Sequence, residues 1–132
     1  MALLAIDLGL KRIGLAYSPE GKMALPLNAI IRKNRHQAAA EVLEAIKAYR
    51  IDHLVVGIPI GGSSEEEMRR RVAHFVGLLD CGLPVSYQDE AGSSIEASER
   101  AAGRLGRSKD GRLDSLAALV ILERWLEANK DG

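Results

Sequence analysis

Hydrophobic and polar positions change their period several times along the chain, and the order of those changes predicts an α/β architecture. Leu3-Leu4-Ala5-Ile6 is an unbroken apolar run, so residues 2–8 are expected to form a strand buried on both faces. Ile13, Leu15 and Tyr17 then alternate with small residues, the pattern of a second strand returning from a glycine-containing turn. Ser18-Pro19-Glu20-Gly21 marks a further turn. The strand after it is interrupted by Pro26, which lacks an N–H for a ladder, and this puts it at a sheet edge. From Asn34, a good N-cap, Ala39, Val42, Leu43, Ile46 and Tyr49 recur at helical spacing. Leu54-Val55-Val56-Gly57-Ile58 is again a continuous apolar run, expected to be central and parallel to the first strand. Ser63 or Ser64 is placed to cap a second helix, with Glu65, Glu66 and Glu67 in its first turn and Met68, Val72, Phe75, Val76 and Leu79 as its inner stripe. A fifth strand is expected over residues 84–88. Ser93 and Glu96 have capping-box spacing at the head of a third helix, and Asp110 is positioned to cap a last one over roughly 112–128. The fold class predicted is a mixed five-stranded sheet, three antiparallel strands followed by two parallel ones, flanked by helices.

A chain of 132 residues suits one domain, 1–132, with a single core. Its 18 basic and 18 acidic residues cancel, which excludes the class of nucleic-acid binders recognised by bulk positive charge; any polyanion site must be a local patch. Cys81 is the sole cysteine, so no internal disulfide forms, and a reducing compartment fits. With no basic leader and no membrane-length apolar stretch, a soluble protein of the cytoplasm is expected, without membrane association.

Candidate chemistry lies in the carboxylates. Asp7 ends the first apolar run, where a charge at the tip of a doubly buried strand is expensive unless a cation meets it. Asp89-Glu90 close the fifth strand in the same way, and Asp114 opens the apolar stretch Leu116–Leu122. Three carboxylate sites at the edges of buried elements suggest one shared centre, with a metal ion as its cation. Each has a structural alternative: Asp7 as a turn cap on the amides of Leu8 or Gly9, and Asp114 as a favourable charge near a helix start.

Lys11 and Arg12, beside Asp7, are candidate phosphate contacts. The segment Gly103–Arg112 carries three glycines before Arg112 besides the basic residues Arg104, Arg107, Lys109 and Arg112. It reads as a flap placing cations on nucleic-acid phosphates. Glu65–Glu67 and Arg69–Arg71 are spaced for ion pairs along a helix surface. His36, His53 and His74 lack metal-ligand spacing, and Trp125 is expected to pack a helix.

The stretches Asp7-Leu8-Gly9-Leu10-Lys11-Arg12-Ile13-Gly14-Leu15-Ala16, Leu54-Val55-Val56-Gly57-Ile58-Pro59, Leu83-Pro84-Val85 leading to Asp89-Glu90, and Leu113-Asp114-Ser115-Leu116-Ala117-Ala118 together resemble the YqgF/RuvX family. That resemblance spans nearly the whole chain and implies an RNase H-like fold. It further implies a bacterial cytoplasmic hydrolase related to the RuvC resolvases, a nuclease processing the 5′ end of pre-16S rRNA, with the ribosomal precursor particle as a partner. Such sites use two divalent ions, Mg²⁺ or Mn²⁺, about 4 Å apart, one to generate hydroxide and one to stabilise the leaving oxygen. By the family pattern Asp7, Glu90 and Asp114 are the catalytic metal ligands, with Asp89 in a supporting role. The family commonly carries Arg-Leu after the acidic pair, whereas this chain has Ala91-Gly92, so an arginine expected near substrate phosphate is missing. Two alternatives stand beside this reading: a Holliday junction resolvase acting on branched DNA, and a non-catalytic RNA- or protein-binding module. An Asp-x-Gly turn also occurs in actin-like kinases, which need two domains of this kind.

Overall fold

In the computed structural model, which describes residues 1–102 and 115–129 apart from the side chains of residues 94 and 100–102, the elements follow in the expected order. They are β1 (Leu3–Leu8), β2 (Arg12–Ser18), β3 (Leu25–Ile31), α1 (Arg35–Ala48), β4 (His53–Ile58), α2 (Glu65–Leu79), β5 (Val85–Asp89), α3 (Ser93–Ala102) and α4 (Leu116–Asn129). The sheet order is β3-β2-β1-β4-β5. β1 pairs antiparallel with β2, and β2 with β3, while β1–β4 and β4–β5 are parallel. This is the mixed sheet that the pattern predicted, with Pro26 in an edge strand. Because β3 runs in the same direction as β1, the carboxyl ends of β1, β3, β4 and β5 all lie at one edge of the sheet, the usual position for a site in such folds.

Alternation along the strands divides the core in two. Leu4, Ile6, Leu54, Val56 and Ile58 pack under Val42 and Ile46 of α1 and Val72, Phe75 and Leu79 of α2. Leu3, Ala5, Ala16 and Val55 pack on the other side under Leu116, Ala118, Leu119, Ile121 and Leu122 of α4. α4 is apolar nearly all round in its first half because it fills the space between the sheet and α3. Trp125 packs into this second layer, as expected of a helix-packing residue.

Helix starts follow the sequence unevenly. Asn34 caps α1 with a full capping box: its side chain accepts from Gln37 N–H at 2.8 Å, and the Gln37 side chain accepts from Asn34 N–H at 3.3 Å. Ser64 occupies the α2 cap position but makes no side-chain cap bond. The Glu65 side chain instead turns back to the preceding turn, accepting from Gly61 N–H at 2.6 Å, and also accepts from Arg69 Nε at 2.8 Å. At α3 the first helical hydrogen bond runs from Glu96 N–H to the Gly92 carbonyl, so the cap falls one residue before Ser93. Gly92 has φ of 76°, a left-handed conformation that glycine adopts without strain. Asp110 and the start expected near residue 112 lie outside the described residues. None of the described helices is long and apolar enough to cross a membrane.

Candidate active site

Asp7 shares its face of β1 with Leu3 and Ala5, so its carboxylate projects on the α4 side of the sheet at the carboxyl edge. Burial pushes its pKa up. Among the described residues no hydrogen-bond donor reaches it, and the Gly9 N–H expected for a turn cap goes to the Arg12 carbonyl at 3.1 Å. The hairpin turn is tight there: a Cβ on Gly9 would sit 2.5 Å from the Arg12 carbonyl oxygen.

Glu90 reaches the same face from β5. Its N–H donates to the Ile58 carbonyl at 2.9 Å, extending the β4–β5 ladder one residue past Asp89. Between the two carboxylates lies Gly57. A Cβ built there would overlap Ile121 Cδ1 and come within 3.3 Å of Glu90 Cβ, so only glycine lets α4 and Glu90 close over this point. The Glu90 pKa is raised, first by burial, then by the negative charge of Asp7, then by that of Asp89. Asp7 and Glu90 therefore form an electrostatically coupled acidic pair. Asp89, with the opposite parity, turns away and accepts from Ala91 N–H at 3.0 Å.

Two side chains not anticipated from the sequence position this pair. Arg124 of α4 donates through Nη1 to the carbonyls of Ala91 at 2.8 Å and Asp89 at 3.2 Å, and its Nη2 lies 3.6 Å from Glu96 of α3. The arginine lies over the Ala91-Gly92 turn, and it fixes the backbone on both sides of Glu90. Ser115 is fully buried and its Oγ accepts from Leu15 N–H at 3.0 Å, across one hundred residues of chain. Leu15 stands where the β2–β3 register shifts, one residue after Gly14, the partner of Asp7. Ser115 thus ties the start of α4 to the strand beside Asp7. Ser115→Ala leaves a buried N–H unpaired and is expected to cost about 1–3 kcal/mol. Chemical denaturation checks the loss, and an unchanged midpoint would show the bond to be inconsequential.

Asp114 and the basic residues Arg104, Arg107, Lys109 and Arg112 lie outside the described residues. Among the described residues no three His, Cys, Asp or Glu side chains gather as a metal site, and the carboxylates brought together are Asp7 and Glu90. Lys11 and Arg12 are exposed at the β1–β2 turn next to them. His53 bonds Ser86 at 2.7 Å and His74 meets Arg35 at 3.1 Å, both away from the acidic pair. Of the expected surface ion pairs, Arg69–Glu65 and Arg70–Glu66 form at 2.8 and 3.5 Å. The glycine inside an otherwise apolar strand was the signal for Gly57; nothing in the sequence pointed to Arg124.

A central strand ending in a carboxylate, flanked by an antiparallel hairpin and two parallel strands, defines the RNase H-like class. Solved structures agree on the fold. T. thermophilus RuvC in complex with a Holliday junction substrate aligns with a TM-score of 0.56 at 21% identity, covering 98% of this chain and 96% of that one. The fowlpox virus Holliday junction resolvase aligns with a TM-score of 0.53 at 14% identity, covering 97% and 99%. Residues 1–128 match the family RuvX, described as Holliday junction resolvase, and the chain belongs to it. A relative from Sulfurovum sp. (strain NBC37-1), named "Putative pre-16S rRNA nuclease", is 56% identical over 126 residues, 96% of this chain and 98% of the relative. One of the same name from Sulfurimonas denitrificans is 53% identical over 126 residues, 96% and 97% of the two chains.

Proposed function

We propose that this RuvX-family nuclease is a divalent-metal-dependent hydrolase that trims the 5′ end of pre-16S rRNA in the cytoplasm, on the ribosomal precursor particle. The observation that carries the reading is the Asp7–Glu90 pair: two carboxylates from different strands, held on one face against burial and mutual repulsion, with no donor from the described residues on Asp7. Such a pair is costly alone and fits a cation. Its hard oxygen donors suit Mg²⁺ or Mn²⁺, so the donor set passes the chemical test for these ions. Asp7 and Glu90 would hold the metal, and we assign Asp114 as the third ligand. The anchoring of its neighbour Ser115 beside the Asp7–Gly14 pair supports that assignment. When bound, the metal supplies an activated water and charge stabilisation at the leaving oxygen. Arg124 holds the Glu90 backbone in place, and Asp89 tunes Glu90 through its charge. Lys11 and Arg12, with Arg104, Arg107, Lys109 and Arg112, contact substrate phosphates. The names of the relatives from Sulfurovum and Sulfurimonas favour ribosomal RNA as the substrate.

Incubation of the purified protein with labelled pre-16S rRNA and with a four-way DNA junction, each with Mn²⁺ or with chelator, tests this. Metal-dependent cleavage of the RNA is expected. Cleavage of the junction alone would make the chain a resolvase, and binding of RNA without cleavage in any metal would make it a binding module.

A further inference from the structure

The tip of β1 has a second side. Leu8, with parity opposite to Asp7, helps floor an open groove of about 550 Å³ on the α1/α2 face of the sheet. One wall is the β3–α1 junction, with Arg32, Lys33 and Arg35; the other is α2, with Arg70, Arg71 and His74. In a chain whose 18 basic and 18 acidic residues cancel, five cations and no carboxylate line this groove among the described residues.

The partners of these cations sharpen the point. Arg35 Nη1 meets His74 Nε2 at 3.1 Å, Arg71 Nη1 meets the Met68 sulfur at 3.2 Å, and Arg32 Nη1 donates to the Gly9 carbonyl at 2.8 Å with its guanidinium 6.0 Å from the Phe75 ring centre. Among the described residues only Arg70 faces an acid, the exposed Glu66 at 3.5 Å. Arg32, Lys33, Arg35 and Arg71 thus have no carboxylate partner among the described residues. Like charges gathered in this way repel one another, and an external polyanion relieves that repulsion. A single small anion needs convergent donors, whereas these cations are spread over two walls along an open channel with an apolar floor. That distribution suits a chain of phosphates whose sugars and bases lie on apolar surface.

We propose that this groove is an exosite for the phosphate backbone of the substrate RNA strand, outside the bond that is cut. The proposal rests on the nuclease reading above and adds the path of the strand. Arg32 is coupled to the β1–β2 turn twice, through Gly9 and by donating its own N–H to the Lys11 carbonyl at 2.8 Å. A strand gripped between α1 and α2 therefore leaves over that turn, past Lys11, and arrives at Asp7 on the other face. The groove lies at the same carboxyl edge of the sheet as the acidic pair.

The test is binding of a single-stranded RNA spanning the cleavage site, in chelator, across a salt series, for wild type and the triple variant Lys33→Ala/Arg35→Ala/Arg71→Ala. Three lost phosphate contacts at about 0.7 each should reduce the log-log salt slope by about 2, and Kd at low salt should rise at least about tenfold. With metal, the loss should appear mainly in KM, and Arg35→Lys/Arg71→Lys should keep most of the slope. An unchanged slope, no binding by wild type, or tighter binding of a poly-glutamate peptide than of RNA would overturn the exosite. The two readings separate cleanly. Wild type that binds with this slope but never cleaves defeats the nuclease and keeps the groove; wild type that cleaves while the triple variant binds equally well does the reverse.

Discussion

Asp7→Asn is expected to lower RNA cleavage by about a thousandfold or more, because it removes a charge aimed at the reacting centre while leaving side-chain shape almost unchanged. Glu90→Gln should act in the same direction. Neither should harm the fold. Both carboxylates have raised pKa values through burial, so a neutral amide is better accommodated than the charged group it replaces. Rates at saturating substrate in Mn²⁺, alongside a far-UV spectrum for each variant, check this. Cleavage by Asp7→Asn at the wild-type rate would remove Asp7 from the chemistry.

The second large effect is on stability and has opposite signs with and without metal. In chelator, Asp7→Asn should melt above wild type, since it ends the repulsion with Glu90 and the desolvation of a buried charge. In Mn²⁺ the order should change, as wild type gains roughly 2.7 kcal/mol at a hundredfold excess over Kd and the variant gains much less. The pH dependence follows from the direction of the shifts. A carboxyl whose folded-state pKa is raised favours the native state below its ordinary value and loses that contribution as pH rises through the raised one. Metal-free wild type should therefore recover on acidification from neutral pH, and the advantage of Asp7→Asn should shrink. Melting curves in chelator from about pH 7 down to about pH 3.5 cover the window in which ordinary and raised carboxyls titrate. A variant that melts below wild type in chelator, with no response to Mn²⁺, would return Asp7 to a structural role.

The strands were the most legible part of the chain. Leu3–Leu8 and His53–Ile58 are buried on both faces, so their apolar runs carry no alternation and announce central positions. Pro26 announced an edge because a missing N–H is tolerated there. Asn34 was readable as a cap because its partner Gln37 lies three residues on, within the span that local sequence encodes. Ser64 stands at the cap position that the serine before three glutamates predicted, but its side chain makes no cap bond.

The acidic pair was readable as two strand-end carboxylates: alternation put Asp89 and Glu90 on opposite faces, and the family resemblance chose Glu90. What ties the pair together was not readable. Ser115 bonds a residue one hundred positions away, and Arg124 reaches carbonyls that any residue would present. Arg70 and Arg71 illustrate the same gap. In sequence they belong to a run of surface charge facing Glu65–Glu67, and only folding brings them opposite Lys33 and Arg35, which have no periodic signal of their own. A neutral total charge conceals that concentration, because charge sums say nothing about where opposite charges are placed.

That Asp7 and Glu90 act as one centre is tested most directly by titrating the Glu90 side-chain carboxyl by carbon NMR in metal-free wild type and in Asp7→Asn. A shared centre requires the Glu90 pKa to fall when Asp7 loses its charge, with a remaining elevation from burial and from Asp89. An identical Glu90 titration in the two proteins would mean that the carboxylates do not sense each other, and would contradict the site.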